Sequence, residues 1–249
     1  MTRSVVVITG ALTGIGEATA KAFARRGDIV VISGRHDDVG ARLAQDLKAV
    51  GAADAVFVRA DVRSGPELAN LIDTTITSFG RLDIAVNNAG TEGIMAPVTE
   101  VTEAQYTDVF NTNVLGTLLS MKHEMRVMQP QGSGAIINVT SIYGNKGFPN
   151  SALYVGSKHA VIGLTRSAAL EAAAFGVRVN GIGPGFIDTA MFARVAGSPE
   201  NQTALSGTIP QGRAGRPEEV AEAIQFLSGA QSSYLTGQTL FLDGGVTAG

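Results

Sequence analysis

Short runs of apolar, mostly β-branched residues alternate along the chain with longer segments in which apolar positions recur at helical spacing. We predict strands at residues 4–9, 28–34, 55–61, 82–90, 134–141, 177–185 and 238–245, and helices at 16–27, 37–51, 64–80, about 102–129, 154–175 and 217–229. Strands as uniformly apolar as "SVVVIT" are typical of a parallel sheet covered by helices on both faces. The alternation continues without a linker-like change of composition. We therefore predict an α/β fold with one doubly wound parallel sheet, in a single domain over residues 1–249.

The composition of the chain argues against several classes of binding partner, namely nucleic acids, metal ions and membranes. Of its 249 residues, 45% are hydrophobic and 16% are charged, which is enough apolar material for a sizeable core. The net charge of −3, without a long run of one sign, argues against a nucleic-acid partner. There is no Cys, and the three His residues do not pair at metal-ligand spacing, so we predict no metal site. Because no signal peptide or membrane-length apolar segment stands out, we expect a soluble, cytoplasmic protein with no membrane contact.

A glycine-rich turn joins the first predicted strand to the first predicted helix, in "VVVITGALTGIGEATA", residues 5–20. Gly10 permits a tight turn, while Gly14 and Gly16 allow a backbone to approach a ligand and the helix closely. The start of a helix offers unpaired N–H groups and partial positive charge to a pyrophosphate. A plain turn is the alternative, but the position between strand and helix favours a dinucleotide-binding turn.

Three polar residues in the second half of the chain have a spacing that suits proton transfer. Ser141 ends an apolar strand, and Tyr154 and Lys158 are four residues apart, on one face of a predicted helix. Ligands of parallel sheets bind at the carboxyl ends of the strands, where the three groups can converge. A free phenol has a pKa of about 10, and a neighbouring ammonium favours the phenolate. The spacing therefore predicts a proton-transfer site, with Tyr154 as a general acid or base and Ser141 as a hydrogen-bonding partner of the reacting atom.

The motifs "TGALTGIG", "NNAG" (87–90) and "PGFIDT" (184–189), together with Ser141, Tyr154 and Lys158, resemble those of the short-chain dehydrogenase/reductase family. The resemblance runs from residue 4 to about 245, with each motif in the expected order. It implies an oxidoreductase that transfers hydride between a nicotinamide cofactor and an alcohol or carbonyl substrate. Tyr154 would then be the general acid in carbonyl reduction and the base in alcohol oxidation, with Ser141 hydrogen-bonding the substrate oxygen.

The resemblance also implies roles for single positions. Lys158 would hold the nicotinamide ribose, and Asn113 would be a fourth catalytic residue that supports a water; a buried Asn bonded to backbone is the alternative. Asp61 would bind the adenine amine, although it could instead cap a strand end. The predicted cofactor-binding residues are Gly10, Leu12, Thr13, Ile15, Gly16, Arg35, Asp61, Val62, Asn88, Ala89, Gly90, Tyr154, Lys158, Pro184, Gly185, Ile187 and Thr189.

The end of the second strand, "VVISGRHDD", predicts a preference for NADP(H), with NAD(H) also possible. An NAD-preferring site places an acidic residue there, whereas this chain has Gly34 followed by Arg35, which can pair with a 2′-phosphate. Two features weigh against this. Thr13 stands where many NADP-using relatives have a basic residue, and the acidic pair Asp37 and Asp38 follows closely.

Several alternatives stay open in the sequence. A nucleotide-sensing or scaffold protein is possible on the same fold, and within the enzymes a 3-oxoacyl-thioester reductase, a sugar dehydrogenase and a broad-range ketone reductase compete. Residues 186–213 match the family's substrate lid, and the helices at about 102–129 and 154–175 suggest a homotetramer, with a homodimer as the alternative. Candidate residues for the substrate pocket are Tyr143, Asn145, Phe148, Phe186 and Met191.

Overall fold

The computed structural model describes residues 3–248 and contains one parallel sheet of seven strands. The strands are β1 (Val5–Thr9), β2 (Ile29–Gly34), β3 (Asp54–Arg59), β4 (Ile84–Asn87), β5 (Gly134–Val139), β6 (Val177–Pro184) and β7 (Thr239–Leu242). Their order in the sheet is β3-β2-β1-β4-β5-β6-β7, and each neighbouring pair is parallel. The predicted doubly wound parallel sheet is therefore confirmed.

Nine α-helices lie in the described part of the chain. They are α1 (Gly14–Arg25), α2 (Asp37–Ala49), α3 (Gly65–Phe79), α4 (Glu103–Phe110), α5 (Gly116–Gln131), α6 (Ala152–Ala172), α7 (Ala190–Ala196), α8 (Pro199–Gly207) and α9 (Pro217–Ser228). Local sequence fixes several of their ends. In α3, the Ser64 side chain accepts a hydrogen bond from the Glu67 backbone N–H, and Gly80 ends the helix with φ 74°. None of these helices combines the length and the hydrophobicity that crossing a bilayer requires.

The core consists of two apolar layers, one on each face of the sheet. Successive strand residues point to opposite faces, so Val6 and Ile8 join one layer and Val7 joins the other. The first layer is completed by α1, α2 and α9, and the second by α3, α5 and α6. Burial on both faces explains why the strands are apolar without alternation.

The structure departs from the predicted elements in two places. The helix predicted at about 102–129 is interrupted by a π-helical segment, Asn111–Leu115, between α4 and α5. The segment 186–213, for which no helix was predicted, contains α7 and α8. Most predicted strands are also too long, since the last residues of 82–90, 134–141 and 238–245 lie in turns beyond the strand ends.

The chain direction across the sheet reverses at β1. From β1 the chain moves outward to β2 and β3, then returns to the other side of β1 as β4. The loops after β1 and β4 therefore diverge at the carboxyl edge of the sheet and leave a crevice between them. The glycine-rich turn, "NNAG", Ser141 and "PGFIDT" all lie at strand ends on this edge, whereas Tyr154 and Lys158 are carried there by α6.

Candidate active site

A groove of about 560 Å³ runs across the carboxyl edge of the sheet, over the glycine-rich turn between β1 and α1. Gly10 and Gly14 have φ values of 62° and 58°, a region that favours glycine. A Cβ on Gly16 would lie 2.3 Å from the Gly10 carbonyl oxygen, so glycine is required where helix and turn touch. The Thr13 side chain does not cap α1. The first N–H groups of α1 therefore have no side-chain cap in competition with an anionic ligand, which is the arrangement that a pyrophosphate needs.

The turn after β4 is tied to the glycine-rich turn by Asn88. Its side-chain Nδ2 donates hydrogen bonds to the carbonyl oxygens of Gly10 (2.8 Å) and Thr9 (3.2 Å). Its neighbour Asn87 points into the core instead, where it donates to Asn138 at 3.0 Å. Ala89 and Gly90 continue along the wall of the groove. Asn88 thus fixes the shape of the groove, whereas Asn87 connects neighbouring strands.

The far end of the groove is lined by charged residues that follow β2 and β3. Arg35 is exposed there, and Asp61, Val62 and Arg63 lie opposite. The Asp61 carboxylate is held by Arg63, whose guanidinium lies 2.6 Å from it and keeps the pKa of the carboxyl below its usual range. The sequence predicted that Asp61 would bind the adenine amine. Its position in the groove fits this, but the ion pair with Arg63 was not foreseen.

Two predicted cofactor-binding residues, Leu12 and Thr189, also pack against glycines that border the groove, and the sequence did not suggest this packing. Leu12 packs against the end of β2, where a Cβ on Gly34 would lie 2.6 Å from Leu12 Cδ1. Thr189 reaches the glycine-rich turn from the opposite side, with its Cγ2 3.3 Å from the Cβ position of Gly14. The remaining predicted residues that line the groove or the cavity beside it are Thr13, Ile15, Val62, Pro184, Gly185 and Ile187.

Ser141, Tyr154 and Lys158 meet in a smaller cavity of about 130 Å³, which we call the reaction cavity. Ser141 lies two residues beyond β5 and accepts a hydrogen bond from the Tyr143 backbone N–H at 3.3 Å. Tyr154 is in the first turn of α6, and Lys158 follows one turn later. Ile15, Asn88 and other residues line both the groove and the reaction cavity, so the two spaces adjoin.

The protonation equilibria of these groups are governed by burial. Burial raises the pKa of Tyr154, interaction with the Ser141 hydroxyl lowers it, and the nearby Glu92 carboxylate raises it. Burial also lowers the pKa of Lys158 to about 8, so its ammonium form still predominates at pH 7. Lys158 was expected to lower the pKa of Tyr154. Here its Nζ lies 5.5 Å from the Tyr154 ring centroid and donates to the Val139 carbonyl at 3.0 Å, and the group that lowers the phenol pKa is Ser141.

Asn113 lies in the π-helical segment and is almost fully buried, at 1% exposure. Its Oδ1 accepts from the Thr91 N–H (2.8 Å), while its Nδ2 donates to the Thr91 carbonyl (2.9 Å) and to Ser157 Oγ (3.0 Å). These bonds match the alternative of a buried Asn bonded to backbone. A Cβ on Gly90 would lie 3.3 Å from Asn113 Oδ1 and 3.6 Å from Lys158 Nζ, so Asn113 is also close to the Lys158 ammonium.

The walls of the reaction cavity are mostly apolar. Of the five residues suggested from the sequence, Tyr143, Phe186 and Met191 line it. Phe148 stacks behind Tyr143 with 3.9 Å between ring centroids. Neither Phe148 nor Asn145 is among the residues that line the cavity.

One charged pair crosses the mouth of the cavity, and this pairing was not predicted from the sequence. Glu92 lines the reaction cavity, and its carboxylate accepts from Arg194 Nε at 2.7 Å. Arg194 belongs to α7 and lines the groove, so the pair connects α7 to the turn after β4. Glu92 comes two residues after the glycine of "NNAG", but its position in the sequence does not indicate the pairing with Arg194.

Comparison with known proteins agrees with this geometry. A family model described as "Enoyl-(Acyl carrier protein) reductase" matches residues 10–247. The chain is 44% identical over 248 residues to cis-4-hydroxycyclohexanecarboxylate dehydrogenase of Sinomonas cyclohexanicum, covering 98% of this chain and 96% of that protein. The chain belongs to the short-chain dehydrogenase/reductase family. It is accordingly an oxidoreductase related to dehydrogenases and reductases of alcohol and carbonyl substrates.

Solved structures of other family members superpose on the whole chain. Levodione reductase matches with a TM-score of 0.96 and 30% identity, covering 100% of this chain and 99% of that chain. ElxO with NADP bound matches with a TM-score of 0.93 and 35% identity, covering 100% of both chains. The predicted resemblance, oxidoreductase class and nicotinamide cofactor class are thus confirmed.

Proposed function

We propose that this short-chain dehydrogenase/reductase transfers hydride between NADP(H) and a compact alcohol or ketone, with Tyr154 as the general acid and base. The observation that carries the proposal is the meeting of Ser141, Tyr154 and Lys158 in a cavity that adjoins the groove over the glycine-rich turn. A protein that only senses a nucleotide has no need of these three groups around a cavity of substrate size.

Each residue has a part that follows from its surroundings. Tyr154 donates its phenolic proton to the substrate oxygen in reduction and accepts a proton in oxidation. Ser141 stabilises the developing charge on that oxygen and lowers the pKa of the Tyr154 phenol. Lys158 supplies a buried positive charge at the inner wall, and Asn113 holds the adjacent turn at Thr91. The nicotinamide ring supplies the hydride donor or acceptor when the cofactor is bound.

The size of the reaction cavity supports a small substrate. Its volume of about 130 Å³ is close to the ~150 Å³ of an engineered apolar cavity that binds benzene. Predicted cofactor-binding residues such as Ile15 and Thr189 also line this cavity, so its volume is an upper limit on the space for the substrate. Tyr143, Phe186, Met191 and Phe192 provide apolar walls. We therefore propose a substrate with a single six-membered ring or an equally short chain. This favours a ketone reductase or cyclic-alcohol dehydrogenase over the 3-oxoacyl-thioester reductase and the sugar dehydrogenase.

Three finer features belong to the same proposal. Arg35 directs the preference towards NADP(H), and residues 186–213, which include α7 and α8, act as the substrate lid.

Exposed apolar side chains support a homotetramer, since Leu118 on α5 and Leu170 on α6 are 44% and 83% exposed, and Tyr234 before β7 is fully exposed. A location in the cytoplasm stays a prediction from the sequence. Sedimentation equilibrium at micromolar concentration tests the assembly, and a species near the 25.7 kDa chain mass would contradict it.

The enzymatic part is tested with a panel of single-ring ketones, single-ring alcohols, short 3-oxoacyl thioesters and sugars. Oxidation or reduction of NADPH and NADH is followed by absorbance at neutral pH. We expect turnover with the ring compounds and kcat/KM values at least tenfold lower with the thioesters and sugars. Absence of turnover across the panel in a preparation that binds the cofactor would contradict the proposal.

A further inference from the structure

Two separate cavities meet at Phe186. On one side is the reaction cavity, with Tyr154 and the other catalytic candidates. On the other side is a space of about 220 Å³, the rear cavity, between the base of the lid segment and β7. Besides Phe186 and Ile187, its walls include Gln211, Arg213, Leu242 and Asp243. Ser141, Tyr154 and Lys158 do not line it, so a ligand held only in the rear cavity would be out of reach of the proton-transfer groups.

The backbone on either side of Phe186 is held by hydrogen bonds. The Phe186 carbonyl accepts from Gly215 N, and the Gly215 carbonyl accepts from Asp188 N, both at 2.9 Å. Gly185 N donates to the Leu242 carbonyl, also at 2.9 Å. These bonds fix the 185–188 segment between β7 and residue 215, so the boundary between the cavities depends on side chains.

Phe186 and Ile187 border both cavities, and they differ in burial. Ile187 is 5% exposed and belongs to the core, and a Cβ on Gly215 would lie 2.7 Å from its Cδ1. Phe186 is half-buried, and its ring lies against Phe192 with 5.4 Å between centroids. The Phe186 ring is therefore the removable part of the partition.

The charged residues of the rear cavity are already paired. Arg213 donates to the Glu219 carboxylate at 2.7 Å. The Asp243 carboxylate accepts from the N–H groups of Gly245 and Thr247, both at 2.9 Å. An ionic substrate tail would have to displace one of these partners, so the rear cavity suits an uncharged extension of a substrate.

We propose that Phe186 is a specificity-determining residue that limits substrate length by closing the reaction cavity against the rear cavity. This rests on the proposed oxidoreductase function. With Phe186 in place, the enzyme takes uncharged ketones of one ring. Without its ring, the 130 Å³ and 220 Å³ spaces join, and ketones of two fused rings fit with the carbonyl beside Tyr154.

The test compares wild type with Phe186→Ala on the best single-ring ketone of the panel and on 2-decalone, a ketone of two fused rings. We expect the ratio of kcat/KM for 2-decalone to that for the single-ring ketone to rise at least tenfold in the variant. Met191→Ala is the matched control, because Met191 lines the reaction cavity but not the rear cavity. It should change the ratio less than threefold.

A second readout does not depend on turnover. A crystal structure of Phe186→Ala should show one continuous space, and 2-decalone should raise its melting temperature more than that of wild type. If Phe186→Ala does not fold, Phe186→Leu replaces it in both experiments. The inference is overturned if the ratio stays the same, if Met191→Ala raises it equally, or if wild type already accepts 2-decalone as well as the single-ring ketone. If no ketone is reduced but the crystal structure and the melting temperatures change as expected, the proposed function fails and the partition stands.

Discussion

Replacing Arg35 with Ala tests the proposed cofactor preference most directly. Arg35 follows β2 at the end of the groove, where the adenosine ribose of a dinucleotide lies in this type of fold. Its guanidinium can form a forked pair with a 2′-phosphate, which NADPH has and NADH lacks. The substitution should therefore weaken NADPH binding and leave NADH binding nearly unchanged.

The structure narrows the expected size of this effect. Hydrogen bonds to a charged group contribute about 1.5–3 kcal/mol, but Arg35 is exposed, and solvent reduces the value of exposed ion pairs. We expect about 1–2 kcal/mol, or about a 5- to 30-fold change in affinity. The neighbouring carboxylates oppose phosphate binding only weakly, because Asp61 is paired with Arg63 and Asp37 lies 4.0 Å from Arg59.

The measurement is a fluorescence titration of wild type and variant with NADPH and with NADH, combined with kcat/KM for both cofactors on one ketone. Arg42→Ala is the matched control, since Arg42 is an exposed arginine of α2 that does not line the groove. It removes the same charge and should leave the NADPH-to-NADH ratio within twofold of wild type. The reasoning is refuted if wild type prefers NADH, if Arg35→Ala leaves the ratio unchanged, or if Arg42→Ala shifts it as much.

The complementary substitution, Gly34→Asp, has a side effect that the sequence did not reveal. An acidic residue there repels a 2′-phosphate and can accept from a ribose hydroxyl. Its Cβ would however lie 2.6 Å from Leu12 Cδ1 and 2.7 Å from Leu12 Cγ, so Leu12 has to shift. We expect Gly34→Asp to reverse the ratio in favour of NADH while weakening the binding of both cofactors. Gly34→Asp combined with Leu12→Ala should recover NADH affinity in the same titration.

Three further predictions concern single side chains. Tyr154→Phe should lower kcat by about 10²- to 10⁴-fold while the cofactor dissociation constant stays within twofold; near-normal turnover would contradict the proposed acid–base role. Glu92→Gln removes the charge that raises the pKa of Tyr154, so the rise of alcohol oxidation with pH should begin at lower pH, and a profile that stays in place would show that Tyr154 does not sense Glu92. Burial raises the pKa of Glu124 from its ordinary value of 4.5 to about 8, so the stability linked to its protonated form is complete below pH 4.5 and is lost as the pH rises towards 8. The melting temperature of wild type should therefore fall more between pH 5 and pH 8 than that of Glu124→Gln. Equal falls would show that the raised pKa of Glu124 does not contribute to the pH dependence of stability.

The layered fold was predictable because strands that are buried on both faces of a sheet consist of unbroken apolar runs. Runs such as residues 5–8 are apolar throughout, and the intervening segments have helical periodicity and start signals such as Ser64. The proton-transfer residues were predictable because proton transfer requires particular residue types at particular spacings. Ser141, Tyr154 and Lys158 were expected together because of their spacing, the position of Ser141 at a strand end and the family resemblance, and the structure brings them into one cavity.

The features that were missed depend on contacts distant in sequence. Nothing in "NTNVL" distinguishes a π-helical segment from an ordinary helix turn, and the Asn113 side chain in this segment bonds to residues distant in sequence. Helices α7 and α8 have only seven and nine residues and lack a long periodic pattern. Glu124 would be assigned to a helix surface by its type, yet it is 1% exposed and accepts a hydrogen bond from Asn87. In each case the local sequence is compatible with the outcome but does not determine it.

The contacts of Asn113 connect the π-helical segment to two other parts of the site. Its side chain holds Thr91 through two hydrogen bonds and the α6 residue Ser157 through a third. Thr91 is followed directly by Glu92, which is bonded to Arg194 on α7. One buried amide therefore connects the helix of Tyr154 and Lys158, the turn after β4 and, through a single ion pair, the first helix of the proposed lid. Because the amide has both a donor and an acceptor directed at one peptide unit, neither Asp nor Leu could replace it without leaving a buried polar group unpaired.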